Sequence, residues 1–170
     1  MELPFRRNSE SPMSSPQSKS ARMQLVTADL KISKCTAAVK TWIERKPGAV
    51  PELFSARRGA PPIAVIYKVM GKIFAILSLR KIENVILKSD PHLAQMLRRQ
   101  YSGVGHRSHL NRRYWISVTL DADVPRKEVK RLVSQSYDLV CAKLSAKQKT
   151  ELAKLGSDGT QDDGLHRRRR

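Results

Sequence analysis

Two β-rich runs, IAVIYKVM (Ile63 to Met70) and KIFAILSL (Lys72 to Leu79), are separated by a single glycine, Gly71. Glycine enters the left-handed region without steric cost, so this spacing predicts a tight antiparallel hairpin. NVILK (Asn84 to Lys88) continues the meander, and YWISVTL (Tyr114 to Leu120) reads as another strand from its β-branched and aromatic content. Helical periodicity brackets these runs. Cys35, Val39, Trp42 and Ile43 recur at helical spacing after the candidate cap Asp29, and Pro47-Gly48 stops them. Asp90-Pro91 is a cap followed by a first-turn proline, with Leu93, Ala94, Leu97 and Tyr101 on one face. Pro125 opens a helix striped by Val129, Leu132, Val133, Tyr137, Val140 and Leu144. Ser145 with Gln148 forms a capping box for a last helix ending at Gly156. Helices that flank a consecutive set of strands define an α+β class with an antiparallel sheet.

Side chains alternate between the two faces of a strand, so each run divides by parity. One set, Val65, Tyr67, Val69, Ile73, Ala75, Leu77, Val85, Leu87, Ile116, Val118 and Leu120, is apolar and belongs under the helices. The opposite set holds Lys68, Lys72, Ser78, Asn84, Lys88, Trp115, Ser117 and Thr119, together with Ala64, Ile66, Met70, Phe74, Ile76 and Ile86. A surface that interleaves lysines with aromatic rings suits phosphates and, on single strands, base stacking. The plainer alternative is a second small core of Phe74, Ile76 and Trp115 with lysines at its rim. The loop HRSHLNRR (His106 to Arg113) is the densest polar cluster in the chain. Arg107, Arg112 and Arg113 offer forked donors to phosphate oxygens, and His109 and Asn111 add groups for base or backbone contacts. Plainly read, His109 and Asn111 hydrogen-bond the loop's own backbone and leave the arginines for anions.

Charge sharpens that reading. The chain has 33 Lys+Arg against 15 Asp+Glu, a net +18. Residues 29 to 155 hold 25 basic and 10 acidic side chains, a net +15, so the folded part is itself the cationic object. Such an excess points to polyanionic partners. Residues 1 to 28 are Ser/Pro-rich without apolar periodicity and are expected to be disordered. Residues 156 to 170 read as a flexible arm ending in Arg167 to Arg170. Cys35 and Cys141 sit at apolar helical positions, as buried free thiols do. No run reaches the roughly 18 apolar residues of a membrane span, and no apolar leader appears, so a cytoplasmic protein without membrane attachment is expected.

Catalytic chemistry finds little footing. No carboxylate pair flanks His92, His106, His109 or His166, neither cysteine has an evident basic partner, and no glycine-rich phosphate loop follows a strand. Hard cations need clustered oxygen ligands, and the first helix carries Lys31, Lys34, Lys40, Arg45 and Lys46 against Asp29 and Glu44. The expectation is therefore a protein with no enzyme activity, metal or cofactor. The alternative to nucleic-acid binding is an interaction module that docks an acidic partner or pairs with a second copy as a homodimer.

The order and spacing of KPGA, YKVMGKIFAIL, VILKSDPHLAQMLRRQYSGV, HLNRRYWISVTLD, SYDLV and KLSAKQKTEL resemble the MmcQ/YjbR family over about residues 30 to 155. The most specific feature is LKSDP combined with HLN ahead of a Trp-led strand. This resemblance implies a CyaY-like (frataxin-like, double-wing) fold with about five strands and helices on one face. It also implies no known catalysis and a DNA-binding role through paired wings. Carried onto this chain, the wings are the Met70 to Lys72 hairpin and the loop with Arg107, His109, Asn111, Arg112 and Arg113. The resulting candidate surface is Lys68, Lys72, Lys88, Arg107, His109, Asn111, Arg112, Arg113 and Trp115, with DNA favoured over RNA as partner.

Overall fold

The computed structural model describes residues 32–157. Asp29, the Ser/Pro-rich first 28 residues and the Arg167 to Arg170 run lie outside them. The helices are α1 (Lys34–Glu44), α2 (Pro91–Gln100), α3 (Arg126–Ala142) and α4 (Ala146–Ser157). The strands are β1 (Ala49–Phe54), β2 (Ala64–Val69), β3 (Lys72–Ser78), β4 (Asn84–Lys88), β5 (Val104–Gly105) and β6 (Trp115–Thr119). All six form one antiparallel sheet in the order β1-β2-β3-β4-β6-β5. α3 crosses β2, β3 and β4, and α1 packs against α3, so the helices cover one face of the sheet.

Local chemistry sets the element ends. Ser33 caps α1, its Oγ accepting the Thr36 N–H at 3.1 Å. Glu83, one residue before β4, accepts the Ser33 N–H at 3.0 Å and the hydroxyls of Ser33 and Thr36, which ties the start of α1 to the sheet. Asp90 caps α2 by accepting the His92 and Leu93 N–H groups at 2.9 and 3.4 Å. Ser145 and Gln148 exchange their capping bonds at 3.2 and 3.3 Å. Gly48, after α1, has φ +63, and a Cβ there would lie 2.6 Å from Leu152 of α4. The positive φ favours glycine at that point, and a larger residue would also have to displace the Leu152 side chain.

Strand β1, AVPELF, carries no strand signal in the sequence because Pro51 interrupts its ladder. Among the described residues it lies at the sheet edge, paired with β2 alone, where a missing N–H is tolerated. The β2–β3 hairpin turns on Met70 and Gly71, both at positive φ (47° and 78°), which is the type I′ pattern that matches strand twist.

Most of the parity-derived core is buried as expected. β3 is the exception. Tyr67 pairs with Ala75 but Lys68 pairs with Ile73, so Phe74 is an extra residue, a β-bulge. A one-residue insertion moves side chains to the other face. Phe74 is fully buried beneath the helices, meeting Tyr137 edge-on with centroids 5.4 Å apart, and Ile73 is only half-buried. The assignment of Ile73 to the core and Phe74 to the opposite face is therefore reversed. Lys72 moves as well: its Nζ donates to the Lys143 carbonyl at 3.0 Å, at the end of α3, instead of standing on the open face.

The bulge leaves a gap that α3 fills. Regular β3–β4 pairing stops at Ala75 and Leu87. Just past it, buried Ser136 donates from Oγ to the Phe74 carbonyl at 2.5 Å and accepts the Lys88 N–H at 2.7 Å. One helix hydroxyl thus satisfies two strand groups and fixes the backbone of Lys88.

Candidate nucleic-acid interface

The three sheet lysines have different surroundings. Lys68 is ion-paired with Glu52 of neighbouring β1, so its charge is compensated. Lys72 donates to the carbonyl at the end of α3, which anchors its ammonium without compensating its charge. Lys88 stands with its Nζ 5.0 Å from the centre of the Trp115 ring. Burial pushes the Lys88 ammonium below its ordinary pKa, and the like charges of Lys143 and Lys72 push it further in the same direction. With Tyr114, Leu139 and Lys143 it lines a cleft of about 320 Å³ at the end of the sheet.

The arginine-rich loop is anchored by a residue outside it. Arg98, in the last turn of α2, donates to the carbonyls of Gly105 (3.4 Å), Arg112 (2.7 Å) and Trp115 (2.8 Å). Three carbonyls on one guanidinium fix both ends of the loop. Sequence reading did not single out Arg98, although its place on the helix ahead of the loop was the available signal. Inside the loop, the Asn111 Oδ1 accepts the Arg113 N–H at 2.9 Å, and the Asn111 carbonyl accepts those of Tyr114 and Trp115 at 3.0 and 3.1 Å. Asn111 therefore organises the turn, as the plainer reading held. On the far side, Asp123 accepts the N–H groups of Ser102 and Gly103 at 2.6 and 2.8 Å, locking the approach to β5.

This scaffold divides the loop. Arg112 and Arg113 are exposed and join Arg99 and His92 of α2 around an open cleft of about 790 Å³ that among the described residues has no Asp or Glu in its lining. Arg113 also lies over the Tyr114 ring, 5.8 Å from its centre. This cleft and the Lys88–Trp115 cleft share Pro91 and Asn111 as walls, so they form one band. Asp90 borders the band but is engaged as the α2 cap. Arg107 and His109 instead turn with Leu110 over the open sheet face, against Phe54, Ile76 and Ile86. Of the three residues expected to form a second small core, only Ile76 lines this recess; Phe74 belongs to the main core and Trp115 to the band.

Burial raises the pKa of both thiols, Cys35 and Cys141, which disfavours the thiolate in each. Among the described residues no group of three or more His, Cys, Asp or Glu side chains is placed to hold a metal ion, and no helix is long and apolar enough to cross a membrane.

The profile of the YjbR family matches residues 44–139, from the end of α1 to near the end of α3. This span contains Lys88, Arg98, the whole loop and Ser136. The chain is 33% identical over 113 residues to the YjbR protein of Escherichia coli, a match covering 65% of this chain and 90% of that protein. In fold it is similar to the crystal structure of Deinococcus radiodurans protein DR2400, which has the domain DUF419, with a TM-score of 0.61 at 23% identity, covering 69% of this chain and 86% of that one. A Pseudomonas syringae structure aligns with a TM-score of 0.52 at 20% identity, covering 64% of this chain and 98% of that one. At those identities the structural likeness concerns the fold alone. The profile and the Escherichia coli relative together show that the chain belongs to the YjbR family.

Proposed function

We propose that this protein is a cytoplasmic, non-enzymatic nucleic-acid-binding domain that grips phosphates along the band from Arg99, Arg112 and Arg113 to Lys88 and Lys143. The observation that carries this reading is the cleft of Arg99, Arg112, Arg113 and His92, lined by no carboxylate among the described residues and held in place by Arg98. A row of exposed guanidinium groups without internal counterions favours a partner with repeated negative charge, because phosphate contacts release condensed counterions. Forked donors also match phosphate geometry. Trp115 and Tyr114, each with a cation above its ring, give the band aromatic surface that can stack on unpaired bases. DNA is preferred to RNA on the family resemblance.

The test is a titration of the full chain against duplex DNA, single-stranded DNA and RNA at several salt concentrations. Affinity for duplex should fall linearly on log–log axes, with a slope near −0.9 for each phosphate neutralised. A flat salt response at measurable affinity would contradict the proposal.

A further inference from the structure

The open face of the sheet carries a different kind of site. Arg80 and Arg107 stand at the boundary between two adjoining recesses, each lined by both. The first, about 340 Å³, has an apolar floor of Phe54, Ile66, Ile76 and Ile86 with Leu110 as a wall. The second, about 500 Å³, is polar and presents Asn84, Ser117, Thr119 and His106. Among the described residues no Asp or Glu lines either recess, and no carboxylate pairs with Arg80 or Arg107.

One feature marks this face as chemically incomplete among the described residues. Arg107 is half-buried beside apolar surface, where a guanidinium without a counterion is costly. An extended phosphate backbone fits poorly, since one recess is largely apolar and only two arginines, Arg80 and Arg107, border both recesses among the described residues. An anion on an apolar chain matches both halves. We infer that the open sheet face binds a small amphiphilic anion, its carboxylate or phosphate between Arg80 and Arg107 and its apolar chain in the recess over Ile66, Ile76 and Ile86.

The site is separate from the arginine band, so the inference does not rest on the nucleic-acid reading. Its test uses the full chain with four probes below their micelle concentrations: decanoate, decyl phosphate, 1-decanol and acetate. Binding is followed by calorimetry and by backbone amide shifts. Decanoate or decyl phosphate should bind saturably with shifts centred on Ile66, Ile76 and Ile86, and the tighter of the two identifies the headgroup. Decanol and acetate should each bind at least about tenfold more weakly, the factor expected when one favourable half is removed. Arg80→Gln with Arg107→Gln should erase the preference for the anion over decanol. A matching melting temperature and intact decanol binding would show that this variant is folded. The inference is overturned if neither anion binds saturably, if decanol binds as well as the anions, or if the preference survives in the double variant. It is also overturned if duplex DNA or self-association of the chain displaces the anion.

Discussion

The open face of the sheet and the band at its end are both basic, yet their cations have different neighbours. On the open face Lys68 meets Glu52, and Arg80 and Arg107 border an isoleucine floor. Along the band Arg99, Arg112 and Arg113 are exposed, Lys88 is half-buried beside Trp115, and the one carboxylate lining it among the described residues, Asp90, is engaged as a helix cap. The contrast shows that a count of positive charge locates neither surface. Spacing, compensation and the polarity of the floor distinguish a site for a chain of phosphates from a site for one anion.

The bulge in β3 decides which side chains reach each face, and breaking it should have the largest effect. Phe74→Ala should cost about 3 to 5 kcal/mol in chemical denaturation, the range for a buried phenylalanine, whereas half-buried Ile73→Ala should cost clearly less. Equal losses, or a larger loss at Ile73, would restore simple alternation. Next comes the hydroxyl that bridges the bulge to Lys88. Ser136→Ala strands the Phe74 carbonyl and the Lys88 N–H and should cost about 1 to 3 kcal/mol, while shifting the Lys88 and Trp115 resonances at the band. Resonances that stay in place would show that Lys88 is positioned by something else.

Arg98 and Arg112 allow the scaffold to be separated from the surface. Arg98→Ala removes three carbonyl contacts and should destabilise by about 1 to 3 kcal/mol. Arg112→Ala, exposed on the same cleft, should leave the denaturation midpoint almost unchanged. Similar midpoints for the two variants would mean that the loop holds without its anchor.

The smallest expected effect lies on the covered side. Burial pushes the Glu83 carboxyl up, but the hydrogen bonds from Ser33 and Thr36 outweigh it and leave its pKa below the usual value. The folded state therefore binds this proton less readily than the unfolded chain. Its contribution is fully present above the unfolded value, about pH 4.3, and is lost as pH falls through the lower folded value. Denaturation midpoints measured from pH 6 down to pH 3 should fall more steeply for the parent than for Glu83→Gln.

Much of the fold was legible because its signals are local: the Asp90-Pro91 cap, the Ser145–Gln148 box, the Gly71 hairpin and the α3 stripe need only neighbouring residues. What escaped depends on tertiary context. Pro51 hid β1 because a proline is acceptable there only at an edge, and edge position is a property of the whole sheet. The bulge at Phe74 reversed parity because Tyr137 and the helix face reward burial of the larger ring. The candidate site was legible as a collection of cations but not in its division. Glu52 lies 16 residues from the Lys68 it neutralises, and Arg98 reaches Trp115 across 17. Ser136, in the middle of a helical stripe, gave no sign that it would bridge two strands.

Salt-dependent duplex titration of two variants, Arg99→Ala/Arg112→Ala/Arg113→Ala and Arg80→Ala/Arg107→Ala, tests the division of the two basic surfaces most directly. The account predicts that the first loses affinity and that its log–log salt slope becomes shallower by about 0.9 for each phosphate contact removed, with the fold intact. The second should bind duplex with nearly the parent's affinity and slope. A triple variant that binds like the parent while the Arg80/Arg107 variant loses affinity and slope would place the nucleic acid on the open sheet face and contradict the account.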